Sequence, residues 1–382
     1  MRLTDIGTLF DGPHATPARR SEGPYFLNIA SLNSGRLDLA ESDHVSEDDF
    51  ERWTRRVEPA GGDLLFSYET RLGEAALMPA GVRACLGRRM ALVRPDRRVV
   101  DPRFLLYFFL SPSIQRLIEQ NTIHGATVNR IGLATMPDWP IEIPDLNVQR
   151  AIAEVLGALD DKITANADAI GRCDHLAQRT YELAVSEGSD DVPLSSVAKF
   201  VNGRAFTKGA SGTGRVVVRI AELNSGLGGS TVYSDAIVPD DHVVRPGDLL
   251  FAWSGSLTVH RWFRPEAIVN QHIFKVIPET SYPMWLVNQL VRRKLEDFRS
   301  IAADKATTMG HIQRHHLDEL VAVPSASRVR ALDAGQDALW HLALSMEIEN
   351  EQLATLRDTL LPELMSGRLR VKDAEKLVED VV

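Results

Sequence analysis

The chain has 382 residues, of which 44% are hydrophobic and 25% charged, with 26 glycines, 19 prolines and a net charge of −9. This composition is that of an ordinary globular protein, and it excludes a collagen-like, low-complexity or disulfide-rich chain. At about 100–200 residues per domain, the length predicts two to four domains.

The cellular compartment is indicated by two further features. The two cysteines, Cys85 and Cys173, lie far apart, which favours a reducing compartment and argues against a zinc site built on cysteine. The first residues contain no apolar signal segment, and the longest apolar run, residues 104–110, is too short to cross a bilayer. We therefore expect a cytoplasmic protein.

The acidic charge is unevenly distributed along the chain. Residues 145–187 contain 4 basic and 8 acidic side chains, and residues 325–382 contain 7 basic and 11 acidic ones, whereas the other stretches are nearly neutral. All 17 basic residues of the stretch 1–144 are arginines, whose planar guanidinium suits phosphate and guanine. A genome that favours arginine codons would produce the same excess, so both explanations stay open.

The two nearly neutral stretches, 1–144 and 188–324, each mix predicted short strands with predicted helices. Residues 64–66, and later residues 216–218, predict short buried strands between glycine- and proline-rich loops. Residues 102–120 and 284–300 predict helices that open near a proline. The mixture predicts α/β (α+β) globular parts.

The second half of the chain repeats motifs of the first half. The matched segments, with their offsets, are 29–35 and 220–226 (191), 62–66 and 247–251 (185), and 127–131 and 308–312 (181). Because the order is kept and the offsets drift slowly, we infer a tandem duplication of a module of about 185 residues.

Each copy ends in a long predicted helix with a heptad pattern. The seam residues are Leu156, Leu159, Ile163, Asn166 and Ile170 in the first helix, and Leu339, Leu342, Met346, Leu353 and Leu356 in the second. Asn166 and Glu349 place a polar residue at the same point of each seam, which can set the register. Packing of each helix on its own domain is the alternative, but two matched seams favour a mutual coiled coil. Closure of a duplicated module about a two-fold axis makes that pair antiparallel.

These features divide the chain into five segments. They are a globular domain (1–144), a first spacer helix (145–187), a second globular domain (188–324), a second spacer helix (325–370) and a C-terminal tail (371–382). A helix of about 35–40 residues spans roughly 50–60 Å, about one and a half turns of duplex DNA. The sequence therefore predicts two related heads on a rigid spacer.

Motifs of known catalysis are missing from the sequence. There is no Asp/Asn-Pro-Pro-Tyr/Phe run of an adenine N6-methyltransferase, and Arg215 stands where a P-loop needs lysine. His311, His315 and His316 offer an alternative, an enzyme with a bound metal, but no glutamate or cysteine completes a zinc motif. We therefore predict a non-catalytic chain without a metal, and an assay for bound metal distinguishes the two.

Several stretches, none of them specific alone, follow one another in an order typical of a known family. They are residues 11–17, 62–67, 125–131, 143–153, 247–251 and 361–369. The ordered set covers nearly the whole chain and resembles the DNA-specificity subunits of type I restriction–modification systems. Residues 325–330 depart from the pattern, because the segment after Pro324 lacks the motif that follows Pro144.

The resemblance implies a recognition subunit of a phage-defence complex. Each globular part would be a target-recognition domain that reads one half of a bipartite sequence in double-stranded DNA, and the helices would set the gap. The chain would dock modification (methyltransferase) subunits and restriction (motor-nuclease) subunits, with no contact to a membrane. It would hold no cofactor, while the partner subunits would use S-adenosylmethionine, ATP and Mg²⁺. The competing reading is a coiled-coil adapter whose heads bind proteins, and it differs in salt dependence, because binding to DNA phosphates weakens steeply with salt.

Candidate DNA contacts are polar or basic residues on loops beside the repeated motifs, where the two copies differ. Arg71 is the strongest candidate for a bidentate contact with guanine. Trp253 would pack on a sugar or a methyl group, or it belongs to the core. The predicted set is His14, Arg36, Ser67, Tyr68, Arg71, Thr127, Asn129 and Arg130 in the first copy, and Arg204, Lys208, Trp253, Ser254, Ser256, Lys305, Thr307, Thr308 and His311 in the second.

Overall fold

The structure, a computed structural model, describes residues 1–13, 16–125, 128–304, 310–379 and 381, with the backbone alone for residues 302–304. The chain divides into two compact units. The first comprises Met1–Lys162 and Leu353–Val382, and the second comprises Ile163–Gln352. Each unit contains one globular part and a portion of both long helices. The helices are α1 (Glu47–Trp53), α2 (Pro102–Leu110), α3 (Pro112–Gln120), α4 (Leu146–Ser186), α5 (Ile220–Ser225), α6 (Met284–Asp304), α7 (Ala326–Met365) and α8 (Val371–Glu379).

The first unit is built on two small sheets. Its strands are β1 (Gly7–Asp11), β2 (Arg20–Leu27), β3 (Leu32–Asn33), β4 (Arg36–Leu37), β5 (Asp43–His44), β6 (Leu64–Ser67), β7 (Ala75–Leu77), β8 (Ala84–Leu86), β9 (Met90–Pro95), β10 (Thr122–Ile123) and β11 (Arg130–Ile131). The antiparallel sheet has the order β1-β9-β6-β7. The other has the order β5-β2-β8, in which β2 and β8 run parallel.

The second unit carries sheets with a corresponding strand order. Its strands are β12 (Ser189–Pro193), β13 (Ala198–Asn202), β14 (Arg215–Val218), β15 (Tyr233–Ser234), β16 (Val243–Val244), β17 (Leu249–Ala252), β18 (Thr258–Arg261), β19 (Ala267–Val269), β20 (Ile273–Pro278) and β21 (Leu320–Pro324). The antiparallel sheet has the order β13-β20-β17-β18. In the other sheet, β15-β14-β19-β16, strands β14 and β19 run parallel, as β2 and β8 do.

The repeated Gly-Asp-Leu-Leu-Phe motif forms a turn and the central strand that follows it. Gly62 and Gly247 have φ values of +91° and +93°, a conformation that a side chain would strain. Asp63 accepts a hydrogen bond from the Ala60 amide (2.8 Å), and Asp248 accepts one from the Arg245 amide (2.7 Å). The aspartates of the motif therefore stabilise the turn.

The hydrophobic cores are organised alike around the central strands. Phe66 on β6 packs against Phe109 on α2, with ring centroids 5.1 Å apart. Phe251 on β17 packs against Phe298 on α6, with ring centroids 5.8 Å apart. All four rings are buried, and complete burial of such a side chain stabilises a fold by about 1.5–3 kcal/mol.

The segment predicted as one helix over residues 102–120 is two helices. Ser111 lies between them in an extended conformation with ψ 152°. Pro112 lacks an amide hydrogen and disfavours helical geometry at the preceding residue, so it ends α2 and opens α3. The second copy has no proline inside α6, which runs unbroken over 21 residues.

The long helices α4 and α7 contain 41 and 40 residues. α4 begins where the Asp145 carboxylate accepts hydrogen bonds from the amides of Asn147 and Val148 (3.0 and 3.2 Å). Among the described residues, no helix is long and apolar enough to cross a membrane.

Contacts between the two helices occur in each unit. In the first unit, the Arg357 guanidinium donates to the Asp160 carboxylate (2.7 Å). In the second unit, the Asn166 amide donates to Glu349 (2.7 Å), and Cys173 packs in a cluster with Ala343 and Met346. Within the second unit, residues later in α4 therefore contact residues earlier in α7.

Leu342 does not lie in the seam that the heptad pattern assigned to it. Its side chain is 50% exposed, whereas the neighbouring Ala343 is fully buried. Trp340 explains the difference, because its ring packs in the core of the second unit, beneath the Arg261 guanidinium, and turns this part of α7 toward the sheet.

Candidate nucleic-acid interface

In the first unit, the structure joins two loops that the sequence presents 60 residues apart. The Ile131 amide donates to the Tyr68 carbonyl (2.8 Å), and Glu69 forms a β-bridge with Arg130. The segment that follows β6 therefore lies alongside β11. Two sets of candidate DNA contacts, one around Arg71 and one around Asn129, thus belong to one surface.

The second unit joins the corresponding loops through the same kind of contacts. The Ile312 amide donates to the Trp253 carbonyl (3.1 Å), and Ser254 forms a β-bridge with His311. The Gly255 amide donates to the Gly310 carbonyl (2.8 Å). Because backbone groups make these contacts, the same scaffold can carry different side chains.

Two candidates of the first copy face inward. Ser67 is fully buried and its hydroxyl donates to the Glu69 carbonyl (2.7 Å). Tyr68 is 5% exposed. Burial raises the pKa of the Tyr68 phenol, and the negative charges of Glu69 and Asp11 raise it further, so the ring stays neutral at physiological pH. Both side chains lie beneath the surface, because Ser67 is the last residue of the buried strand β6 and Tyr68 follows it directly.

The remaining candidates of the first copy are accessible. The Arg71 guanidinium donates to the Ile29 carbonyl (3.1 Å) and pairs with Glu74, which fixes its direction while the side chain stays 39% exposed. Asn129 and Arg130 are exposed beside it. Arg36 is exposed on the hairpin β3–β4, next to the start of β7.

In the second copy, Trp253 is anchored and partly exposed. Its indole Nε1 donates to Asn202 (2.9 Å), and its ring lies against His272 and Phe274. Trp253 thus packs partly against the core and stays partly accessible at the surface. Ser254 is nearly buried, whereas Ser256 and His311 are exposed.

The remaining candidates lie at the edge of the surface, apart from it, or outside the residues that the structure describes. The Arg204 carbonyl accepts a hydrogen bond from the Gln271 amide (3.0 Å), which brings this exposed residue to the same surface. Lys208 is exposed in a turn, and the described residues show no contact that joins it to the others. His14, Thr127, Lys305, Thr307 and Thr308 lie outside the described residues.

Sequence reasoning missed a basic cleft in the first unit. A cavity of about 380 Å³ lies beside Gly12 and Pro13, and Arg52, Arg55 and Arg56 line it. Arg56 pairs with Asp11 (2.6 Å), whereas no ion pair of Arg52 or Arg55 is found within the described part of the chain. A difference in length between the two copies could have revealed this cleft. The first copy has six more residues between motifs 29–35 and 62–66 than the second has between motifs 220–226 and 247–251. Helix α1 and these arginines lie in this longer segment of the first copy.

A metal site is not found among the described residues. No group of three or more histidine, cysteine, aspartate or glutamate side chains there is arranged to hold an ion. His316 is buried, and its Nδ1 accepts a hydrogen bond from the Gln313 amide (2.9 Å), while the neighbouring His315 ring packs against it at an angle of 58°.

Comparison with known proteins points to one family. Residues 1–170 match the family model described as "Type I restriction modification DNA specificity domain". A putative type I restriction enzyme MjaX specificity subunit from Methanocaldococcus jannaschii is 25% identical over 145 residues, which are 35% of this chain and 32% of that relative. The type I restriction enzyme EcoBI specificity subunit from Escherichia coli is 23% identical over 197 residues, which are 50% of this chain and 41% of that relative. The matched part thus spans less than half the length of either curated relative.

A solved structure shares the fold. The crystal structure of the type I restriction–modification S subunit from M. genitalium aligns with a TM-score of 0.57 and 16% identity, over 96% of this chain and 95% of the other. The resemblance to type I specificity subunits that the ordered motifs predicted is confirmed by the family model and these relatives.

Proposed function

We propose that this chain, which carries the type I restriction modification DNA specificity domain in residues 1–170, is a non-catalytic recognition subunit that reads a bipartite sequence in double-stranded DNA. Each unit contributes one recognition surface, formed by the loops around Tyr68 and Ile131 in the first and around Trp253 and Ile312 in the second. The chain acts in the cytoplasm, where the chromosome and invading DNA are accessible.

The observation that supports the proposal most strongly is the shared backbone scaffold. The same amide-to-carbonyl contact joins the two loops in each unit, at 2.8 Å in the first and 3.1 Å in the second. The side chains on that scaffold differ, with Arg71, Asn129 and Arg130 in one unit and Ser256 and His311 in the other. A protein that reads two different half-sites needs this combination, because base-edge contacts specify sequence while the scaffold sets orientation.

The helices α4 and α7 are the proposed spacer. They form an antiparallel pair that sets the number of base pairs between the two half-sites, which the protein does not read. Their acidic surfaces suit protein partners better than DNA. We propose that they dock the modification and restriction subunits, which bring S-adenosylmethionine, ATP and Mg²⁺ to the complex, while this chain itself binds none of these.

Long-read sequencing of modified bases in the host genome, with and without this gene, tests the proposal. We expect an interrupted motif with methylated adenine to disappear on deletion and to return when the wild-type gene is restored. If no adenine motif depends on the gene in a strain that expresses the methyltransferase partner, the proposal is wrong. A coiled-coil adapter for proteins would then be the better interpretation.

The basic cleft makes a separate prediction about affinity. Replacing Arg52 and Arg55 with alanine is expected to weaken binding to all DNA sequences alike, because arginines outside the reading loops contact phosphates. Each lost phosphate contact reduces the slope of log affinity against log salt by about 1. Titrations of cognate and mismatched duplexes at several salt concentrations measure both quantities.

Arg98→Ala is the matched control for this experiment. Arg98 is 88% exposed and pairs with Asp96, at the end of β9 that lies away from the cleft. We expect its removal to leave the salt slope unchanged. A double variant of Arg52 and Arg55 with the wild-type slope, or one with altered base preference, would show that these arginines do not contact phosphates.

A further inference from the structure

A third loop lies at the recognition surface of each unit. It comprises residues 87–89 in the first unit and residues 270–272 in the second. In both units it links a strand of the sheet that contains a parallel pair to a central strand of the antiparallel sheet, β8 to β9 and β19 to β20. Neither segment carries a motif that marks it in the sequence.

The third loop is fixed on one side by the loop that follows the central strand. The Tyr68 amide donates to the Arg89 carbonyl, and the Trp253 amide donates to the His272 carbonyl, both at 3.1 Å. These are the same residues, Tyr68 and Trp253, whose carbonyls bind the other recognition loop. The three loops of each unit therefore form one continuous surface.

On its other side, the third loop is approached by a glycine. The Gly12 amide donates to the Met90 carbonyl (2.8 Å), and the Gly203 amide donates to the Ile273 carbonyl (3.0 Å). A Cβ atom at Gly12 would lie 2.6 Å from the Gly87 carbonyl oxygen, and one at Gly203 would lie 2.0 Å from that of Asn270. The close approach thus requires glycine in both copies.

Each third loop contains a non-glycine residue in the left-handed region. The φ values are +77° for Arg89 and +73° for His272. A side chain disfavours this conformation, which persists only where surrounding contacts enforce it, as is common at ligand-binding sites. Arg89 is held by Glu69 (3.2 Å) and Thr70 (3.3 Å), and the His272 ring lies against Trp253.

The residue before each strained position is exposed. Arg88 and Gln271 extend from the tip of the loop, and no hydrogen bond or ion pair of either side chain is found in the described part of the chain. Each constrained loop therefore exposes a side chain whose chemistry suits a base. Arginine pairs with the two acceptors of guanine, and glutamine pairs with the donor and acceptor of adenine.

We propose that Arg88 and Gln271 are specificity-determining residues, each reading a base in the half-site of its own unit, with Arg89 and His272 as positioning residues. The inference rests on the proposed function and adds a third reading loop to each recognition surface. It also predicts that the two loops act on opposite halves of the DNA target.

Selection of bound duplexes from a library in which both halves are randomised tests the inference, with the full chain in its complex with the modification subunits. Arg88→Gln is expected to reduce discrimination about ten-fold at one or two positions of a single half-site. Gln271→Arg is expected to change preference in the other half-site only. Arg98→Gln, at the far end of β9, is the control and should leave both halves unchanged.

The outcomes separate this inference from the proposed function. If the wild-type complex selects no sequence, the proposed function itself fails. If the wild type is selective and both variants keep its base preferences, or weaken all sequences equally, the third loop does not read bases and the inference is wrong. Changes that fall in the same half for both variants also overturn it.

Discussion

Inserting four residues into each long helix, after Ala167 in α4 and before Glu349 in α7, is expected to lengthen the preferred gap of the DNA target by about two base pairs. Four helical residues add about 6 Å of rise. Duplex DNA rises 34–36 Å per turn of about 10 base pairs, so two base pairs match that length. The insertion also turns the helix by about 40° beyond a full turn, which leaves a difference of about 30° from the roughly 70° of two base pairs.

The positions of the insertion preserve the contacts between the helices. Asn166 donates to Glu349 (2.7 Å) and to Asn350 (3.0 Å), and all three residues stay on one side of both insertions. Cys173, Ala343 and the rest of their cluster stay together on the other side. Extending both helices therefore keeps each set of contacts in register.

The gap is measured by sequencing the methylated motif in cells that carry the extended chain. The matched control extends α4 alone, which shifts Asn166 away from its partners and should reduce stability and methylation rather than produce a new gap. A doubly extended chain that folds and directs methylation with the original gap would refute the role of the helices as a ruler.

Glu347→Ala is expected to destabilise the second unit by about 3–5 kcal/mol, the largest effect on stability that we anticipate for a single substitution. The Arg261 side chain, on strand β18, is 2% exposed and binds the Glu347 carboxylate through two hydrogen bonds of 2.8 and 2.9 Å. Its guanidinium also lies 4.6 Å from the centre of the Trp340 ring. Removing the carboxylate leaves a buried cation without its main partner.

Denaturant unfolding of the full chain, followed by tryptophan fluorescence, measures this effect. Asp337→Ala is the matched control, because Asp337 lies on the same helix, is 58% exposed and contacts only the exposed His341 at 3.5 Å among the ion pairs described. We expect its removal to cost about 0.5 kcal/mol or less. Arg261→Met combined with Glu347→Leu should recover much of the lost stability, because a buried ion pair is replaceable by apolar packing. A Glu347→Ala variant as stable as the control would contradict the assignment.

The sequence predicted individual residues of the candidate site, but it did not predict which loops come together to form it. Divergent loops next to shared motifs identified Arg71, Asn129 and Arg130, and the structure exposes all three on one surface. The third loop escaped prediction, because the left-handed conformation at Arg89 and His272 is imposed by neighbours that are distant in the chain. Ser67 is polar but buried, because it ends the central strand β6, whose four residues are all buried.

The sequence by itself determined the classes of element, the repeat of motifs, the two long helices and the family resemblance, because these depend on patterns that a local stretch carries. The tertiary structure decided which loops meet, since neighbours at a strand end follow from sheet order rather than from distance along the chain. It also decided which face of α7 is buried. Leu342 satisfied the heptad pattern, but Trp340 and Arg261 turned the helix so that Ala343 lies inside instead. A periodic pattern specifies that a helix has a buried face, and the packing partners specify where that face lies.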